Sequence, residues 1–148
     1  MADFFQLVVD CREPSSMVTF WQPLLGYDVP SPPAPHETWR SWYLSVGVPA
    51  EEIEGDGTDR LVPPDGRGVA LWFQPVPEPK LIKNRLHLDL RVTGGRTEPR
   101  QRRRAAIQTA VDEVLDRGGA LIRWTEDEPA DHVAALMADP EGNEFCLV

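Results

Sequence analysis

The chain opens on an apolar run of strand length, Phe4 to Cys11, closed by the polar cluster Arg12-Glu13-Pro14-Ser15-Ser16. Ser15 or Ser16 suits an N-cap, because a serine oxygen can accept the orphan amides of a first helical turn. Met17, Phe20, Trp21, Leu24 and Leu25 then recur at i, i+3, i+4, i+7 and i+8, one face of a helix. Gly26 follows as its C-terminal glycine, and Pro23 predicts a short, distorted or broken last turn. A strand around Tyr27 to Val29 is expected next, then a proline-rich turn and a strand over Trp39 to Val46. Pro49 to Gly68 is rich in acids, glycine and proline and reads as a long loop. Val69 to Val76 closes this half as a strand.

The second half repeats that order. Arg85 to Val92 alternates as a strand, with Leu86, Leu88, Leu90 and Val92 on one face and Arg85, His87, Asp89 and Arg91 on the other. Thr97-Glu98-Pro99 starts a helix that carries Ala106, Ile107, Ala110, Val111, Val114 and Leu115 at helical spacing and ends at Gly118-Gly119. Ala120 to Thr125, His132 to Ala138 and Asn143 to Val148 are strands. Asp139-Pro140-Glu141-Gly142 is a turn signature, which gives that segment a structural role. Strand, helix and three strands occur twice, an internal repeat of roughly seventy residues.

Composition bounds what this pattern can be. A chain of 148 residues suits one compact domain with a substantial core. No apolar run approaches the ~20 residues that span a bilayer, and the first residues have no signal-peptide pattern, so a cytoplasmic location is expected. The net charge of -9 argues against a general phosphate-backbone binder, so no nucleic-acid partner is expected, and without a spanning run no membrane partner is expected either. The basic run Arg100 to Arg104, broken by Gln101, reads as the solvated start of a helix. Cys11 and Cys146 make neither a disulfide framework nor a zinc ribbon, and each behaves as a small strand hydrophobe.

Candidate chemistry concentrates on the polar face of the strand over Arg85 to Val92. His87 and Asp89 are two residues apart, close enough to share a substrate or a water, and imidazole suits proton transfer near neutrality. Asp89 would orient His87, or would instead pair with Arg85 or Arg91 on a surface. The five tryptophans, Trp21, Trp39, Trp42, Trp72 and Trp124, offer stacking surface for an apolar ligand, against the plainer use of core and interface packing. As strand residues, Trp39 and Trp42 would lie on opposite faces, so only one of them could face a cavity.

Three stretches carry a resemblance. Val9-Asp10-Cys11-Arg12-Glu13-Pro14 leads to Phe20-Trp21 and Leu24-Leu25-Gly26-Tyr27. The second is Lys83-Asn84-Arg85-Leu86-His87-Leu88-Asp89-Leu90, and the third runs from Met137 through Asp139-Pro140-Glu141-Gly142-Asn143 to Cys146. In this order and over nearly the whole chain, they resemble the glyoxalase-like branch of the glyoxalase, bleomycin-resistance and extradiol-dioxygenase (vicinal oxygen chelate) superfamily. The resemblance implies an α+β fold of two βαβββ modules, about 1–78 and 83–148. Their curved mixed sheets would form a partly open, cavity-bearing barrel within a single domain, commonly a homodimer.

It also implies where a divalent metal would sit in catalytic members. The first-strand position falls on Gln6 and the matching position of the second module on His87. The fourth-strand position falls among Leu71, Trp72 and Phe73, with Gln74 reachable only by a shifted register. The last-strand position falls on Cys146, with Glu144 on the same face two residues earlier. Without a secure carboxylate the set reads as degenerate, and no metal cofactor is expected. Should a divalent ion bind, Gln6, His87 and Glu144 would be its ligands.

The expected function is therefore binding of a small apolar or aromatic molecule in the sheet cavity, with Gln6, Trp42, Trp72, Gln74 and Cys146 as ligand-binding residues. The competing reading is a lyase or isomerase using His87 and Asp89, with His87 as acid/base or metal ligand. A regulatory module using the acidic loop as a contact surface is the third class.

Overall fold

The computed structural model describes residues 5–148, so Phe4, where the expected first strand begins, lies outside the described residues. The chain divides into two compact units, Met1–Pro79 and Lys80–Val148.

In the first unit, β1 (Gln6–Cys11) leads into α1 (Pro14–Leu25). The N-cap is Glu13, not Ser15 or Ser16, and proline takes the first turn, where its missing N–H costs nothing. The Ser15 amide is satisfied from a distance instead, donating to Glu54 Oε2 at 2.9 Å. The helix runs through Pro23 rather than breaking there; the proline is exposed and lies in the last turn. Gly26 ends it in the left-handed region at φ 63°.

The segment expected as a strand over Trp39 to Val46 is a helix, α2 (Trp39–Ser45). Thr38 is extended at φ -130° and ψ 153°, and its hydroxyl accepts from the Ser41 amide at 3.1 Å. That cap outweighs the β-propensity of the aromatics, and Trp39, Trp42 and Tyr43 fall at i, i+3 and i+4 on one side. The strand expected around Tyr27 shrinks to a bridge between Asp28 and Val62. The long loop holds a 3₁₀ turn at Ala50–Glu52 and the short β2 (Arg60–Leu61) before β3 (Ala70–Pro75).

The sheet order is β1-β3-β2, with β1 parallel and β2 antiparallel to β3. Leu71, Phe73 and Leu61 bury on the same side as Met17, Phe20 and Trp21 of α1. The register pairs Gln6 with Ala70, Val8 with Trp72, Asp10 with Gln74 and Arg60 with Trp72. Period-two alternation sends these residues to the opposite, open face.

The second unit comprises β4 (Asp89–Leu90), α3 (Arg100–Asp116), β5 (Ala120–Asp127), β6 (His132–Ala138) and β7 (Glu144–Leu147). Its order is β4-β7-β6-β5. First strand beside last, then third, then second is also the order of the first unit once the Asp28 bridge is counted. The repeat expected from sequence is therefore a repeat of topology.

The strand expected over Arg85 to Val92 is shorter than its alternation suggests. β4 and β7 are parallel, with Asp89 opposite Cys146, so the partner strand starts only opposite His87. Upstream of that point β7 offers no partner, and Leu86 is 81% exposed rather than packed under a helix. Within the ladder, Cys146 N–H donates to the Leu88 carbonyl at 2.8 Å and Val148 N–H to the Leu90 carbonyl at 2.9 Å. Ile107, Val111 and Val114 of α3 pack on Val133, Met137 and Phe145.

The basic run is not all solvated. Arg103 is 5% exposed and donates to the Glu98 carbonyl, the Asp131 carbonyl and the Asp131 carboxylate. Arg104 lies over the Trp124 ring at 3.4 Å from its centroid.

Candidate functional site

Two groups of chemistry-bearing side chains stand out, one in each unit. The first is built on Asp59, which is 7% exposed just before β2. A carboxylate so buried must be paired. Its Oδ1 accepts from Arg60 Nε at 2.7 Å, and its Oδ2 accepts from Trp72 Nε1 at 2.9 Å and from the Tyr43 hydroxyl. Arg60 also donates to the Tyr43 oxygen at 2.6 Å and lies 4.2 Å from the centroid of the Trp39 ring. Burial pushes the Tyr43 phenol up to about 12, and the hydrogen bond to Asp59 adds to the effect.

The network holds the Trp72 indole as a wall shared by two hollows. The larger, about 620 Å³, is lined by Tyr43, Asp59, Trp72, Ile53, Val48 and Val76, with Glu51, Glu52 and Glu54 among its polar groups and Arg12 as its cation. The smaller, about 500 Å³, is lined by Trp72, Trp39, Arg60, Gln6, Ala70 and Pro33. Gln6 and Trp72 thus share one hollow. Gln74 lies on the same sheet face opposite Asp10, outside the lining of both. Trp42 belongs to neither, because helix α2 turns it onto Trp39, edge to face at 5.4 Å, and onto Tyr43 at 4.9 Å. The parity that set Trp39 and Trp42 on opposite faces applied to a strand and fails on a helix.

Tyr43, Asp59 and Arg60 were not singled out from sequence. The available signal was an Asp-Arg pair at the end of an acidic loop, followed by the apolar Leu61.

The second group lies on the open face of the second unit. Direct pairing of Asp89 with Cys146 sets carboxylate and thiol side by side, and His87 shares their face two residues earlier. His87 Nδ1 lies 3.4 Å from Asp89 Oδ1 and 3.7 Å from Cys146 Sγ. Asp89 therefore pairs with His87 rather than with Arg85 or Arg91. Burial pushes the Cys146 thiol up, and the charge and hydrogen bond of Asp89 push it further. Glu144, the expected substitute ligand, is bound to Lys83, which holds its carboxyl below the ordinary range. The donor atoms gathered here are thus imidazole, carboxylate and thiol, all within 4.8 Å of one another.

Repeat topology, open faces and motif positions agree with one scaffold, and comparison with known proteins decides it. The sequence description of a glyoxalase-like domain matches residues 6–148. The chain belongs to the glyoxalase-like domain family. Solved structures share its fold at low identity. A glyoxalase/bleomycin resistance protein/dioxygenase family enzyme from Burkholderia phytofirmans is 18% identical, covers 99% of this chain and 97% of its own, and has a TM-score of 0.58. A fosfomycin resistance protein from Listeria monocytogenes, solved with manganese(II) and 1S,2S-dihydroxypropylphosphonic acid, is 6% identical with a TM-score of 0.60, over 99% of this chain and 89% of that one. The solution structure of a protein from Agrobacterium tumefaciens is 16% identical with a TM-score of 0.57, over 99% and 96%. No curated protein matches the chain. The α+β class and the superfamily expected from the three motifs are those found. Among the described residues no helix is long and apolar enough to cross a membrane.

Proposed function

We propose that this glyoxalase-like protein binds a small apolar or aromatic organic molecule against Trp72 on the open side of its first sheet. The observation that carries the reading is the Trp72 ring standing between two hollows with its N–H already engaged by Asp59. A ring so held offers a flat apolar surface at little entropic cost, and both hollows have the size of small-ligand sites. The lining sets a charge preference. Glu51, Glu52 and Glu54 outnumber the one arginine of the larger hollow, so a neutral or cationic molecule fits better than an anion. The phosphonate held by the Listeria protein has the opposite character.

Calorimetric titration of the full chain with neutral, cationic and phosphonate-bearing aromatic compounds tests the reading. Saturable binding of a neutral or cationic compound is expected, weakened at least tenfold in Trp72→Ala, with the circular dichroism spectrum unchanged. Affinity unaltered by Trp72→Ala, or binding confined to phosphonates, overturns it.

A second reading, lyase or isomerase chemistry at His87, is favoured by the imidazole held between Asp89 and Cys146. With Nδ1 turned to Asp89, Nε2 is the atom that would take or give a substrate proton. A divalent ion bound beside it would supply Lewis-acid polarisation of a substrate oxygen. Turnover lost in His87→Ala with folding retained is expected from this reading, and turnover unaffected by that change excludes it.

A further inference from the structure

We propose that the second unit carries an oxyanion site, a hollow of about 320 Å³ whose arginines hold a tetrahedral dianion, free phosphate or the phosphate of a small organic monoester. Arg91, Thr93, Arg96, Arg103, Asp131 and His132 line it, whereas His87, Asp89 and Cys146 do not. The site stands apart from any ligand held against Trp72 in the first unit.

Placement is the first argument. Arg91 follows β4, Arg96 sits in a 3₁₀ turn at Gly95–Thr97, and Arg103 comes from the start of α3. Three separate stretches thus bring an arginine to one hollow. In both units the residues after the first strand line a hollow, for Arg12, Glu13 and Pro14 follow β1 and line the larger one of the first unit. There glutamates prevail; here arginines do. Of the chain's fifteen Lys and Arg residues, four, Arg12, Arg40, Arg60 and Arg67, precede Lys80, and the rest lie in the second unit.

Unspent hydrogen-bonding capacity is the second argument. Asp131 is the one acidic side chain in the lining, and several cations share it. Arg103 bonds it, Arg100 lies 3.7 Å from it, and Arg96 adds its charge; the Arg103 bond does most to hold its carboxyl below the ordinary range. Arg103 spends three of its five N–H groups, on the Glu98 and Asp131 carbonyls and the Asp131 carboxylate, which leaves two. Arg91 and Arg96 are exposed and make no ion pair or side-chain hydrogen bond among the described residues. Thr93 Oγ1 accepts from the Gly95 amide at 3.2 Å, so its own hydrogen is available to the hollow. Gly95 leaves open space beside the loop, since an added Cβ meets nothing within 4 Å. Glu98 packs against Gly94 and does not line the hollow, and the Val148 main-chain oxygen is taken by the Val92 amide at 2.8 Å.

The arrangement of donors selects the ligand. A carboxylate offers two oxygens in a plane, and one arginine fork satisfies both. Donors arriving from three stretches suit an anion with more oxygens and two charges, and guanidinium matches phosphate by paired bonds. The hollow has room for a phosphate with a small organic group, while the chain's overall charge of -9 works against a nucleic-acid backbone.

Calorimetric titration of the full chain at low ionic strength with inorganic phosphate, and with glycerol phosphate, which has no ring to stack on Trp72, reads the site without turnover. Saturable binding at one site is expected, weakened by added salt. Tighter binding of glycerol phosphate identifies a monoester as the ligand, and equal affinity identifies free phosphate. Arg91→Ala combined with Arg96→Ala should weaken binding by roughly tenfold or more, and lysine at both positions should restore only part of it. Both side chains are exposed, so the variants should fold, which circular dichroism checks. Arg117→Ala, which removes an exposed arginine at the far end of α3, should leave affinity unchanged. No saturable binding, wild-type affinity in the folded double alanine variant, an equal loss in Arg117→Ala, or succinate bound as tightly as phosphate overturns the proposal.

Discussion

Asp59 and Trp72 are joined by a hydrogen bond of 2.9 Å from the indole Nε1 to Oδ2, and the bond fixes the orientation in which the ring meets the two hollows. The same carboxylate holds Tyr43 and Arg60, so its removal leaves three donors without their acceptor. Asp59→Ala is expected to cost roughly 2–3 kcal/mol in denaturant unfolding, since losing one member of a buried charged network costs more than an average bond. Asp59→Asn, which keeps an acceptor oxygen, should cost less. A loss below 0.5 kcal/mol in both variants would mean that Trp72 is held by packing alone.

Tyr43 gives a spectroscopic handle on that network. Its phenol is pushed up to about 12, first by burial and then by Asp59. The folded state therefore holds this proton more tightly than the unfolded chain, whose tyrosine titrates near 10. The linked stability is fully present below about pH 10 and is lost as pH rises toward 12. Alkaline titration of phenol absorbance should show a late component that Tyr43→Phe removes and that Asp59→Asn moves to lower pH. No late component in the wild-type protein would remove Tyr43 from the network.

The two groups differ in how far residue patterns reveal them. The helical faces of α1 and α3 are single-sided runs that bury Met17, Phe20 and Trp21 on one and Ile107, Val111 and Val114 on the other, while Leu115, expected on the same face, stays 44% exposed at the helix end. His87 and Asp89 were legible because alternation along a strand leaves a histidine and an aspartate on the polar side. Cys146 was legible only through its place in a motif, and its contact with Asp89 depends on a parallel register that no local pattern encodes. The failures share a cause. Trp39 to Val46 is aromatic and read as β, yet Thr38 caps it and its aromatics repeat at three and four. Arg85 to Leu88 alternates well, but a strand needs a partner, and β7 begins too late to supply one. Asp59 was missed because the partners that give it meaning lie 13 and 16 residues away.

Arg103 anchors the start of α3 to the β5–β6 connection. It is 5% exposed and reaches both the carbonyl and the carboxylate of Asp131, a non-glycine residue at φ 48°. Holding a residue in that region needs outside support. Arg103→Ala is expected to lower stability by about 2 kcal/mol or more, and Arg103→Lys to recover little, because an ammonium cannot reproduce the forked contact. Full recovery by lysine in thermal unfolding would show that charge alone matters.

Gly57 and Gly142 test whether a glycine serves its own dihedral or a neighbour's approach. Both have positive φ, 80° and 86°. At Gly142 an added Cβ meets nothing within 4 Å, so only the left-handed backbone resists a side chain. Gly142→Ala should cost about 1–2 kcal/mol, the usual strain of an L-residue there. At Gly57 the Cβ would lie 2.6 Å from the Arg40 amide nitrogen and 3.0 Å from the Trp39 carbonyl carbon, both backbone atoms of α2. The Arg40 amide is also tied to the Asp56 carbonyl, so neither side can yield alone. Gly57→Ala should therefore cost roughly twice as much as Gly142→Ala in urea unfolding, since overpacking is added to strain. Because α2 carries Tyr43 onto Asp59, Gly57→Ala should also weaken a ligand held against Trp72, while Gly142→Ala leaves it unchanged. Equal costs and unchanged binding in both variants would show that α2 is free to move away from the loop, and the wall of the larger hollow would then be adjustable rather than fixed.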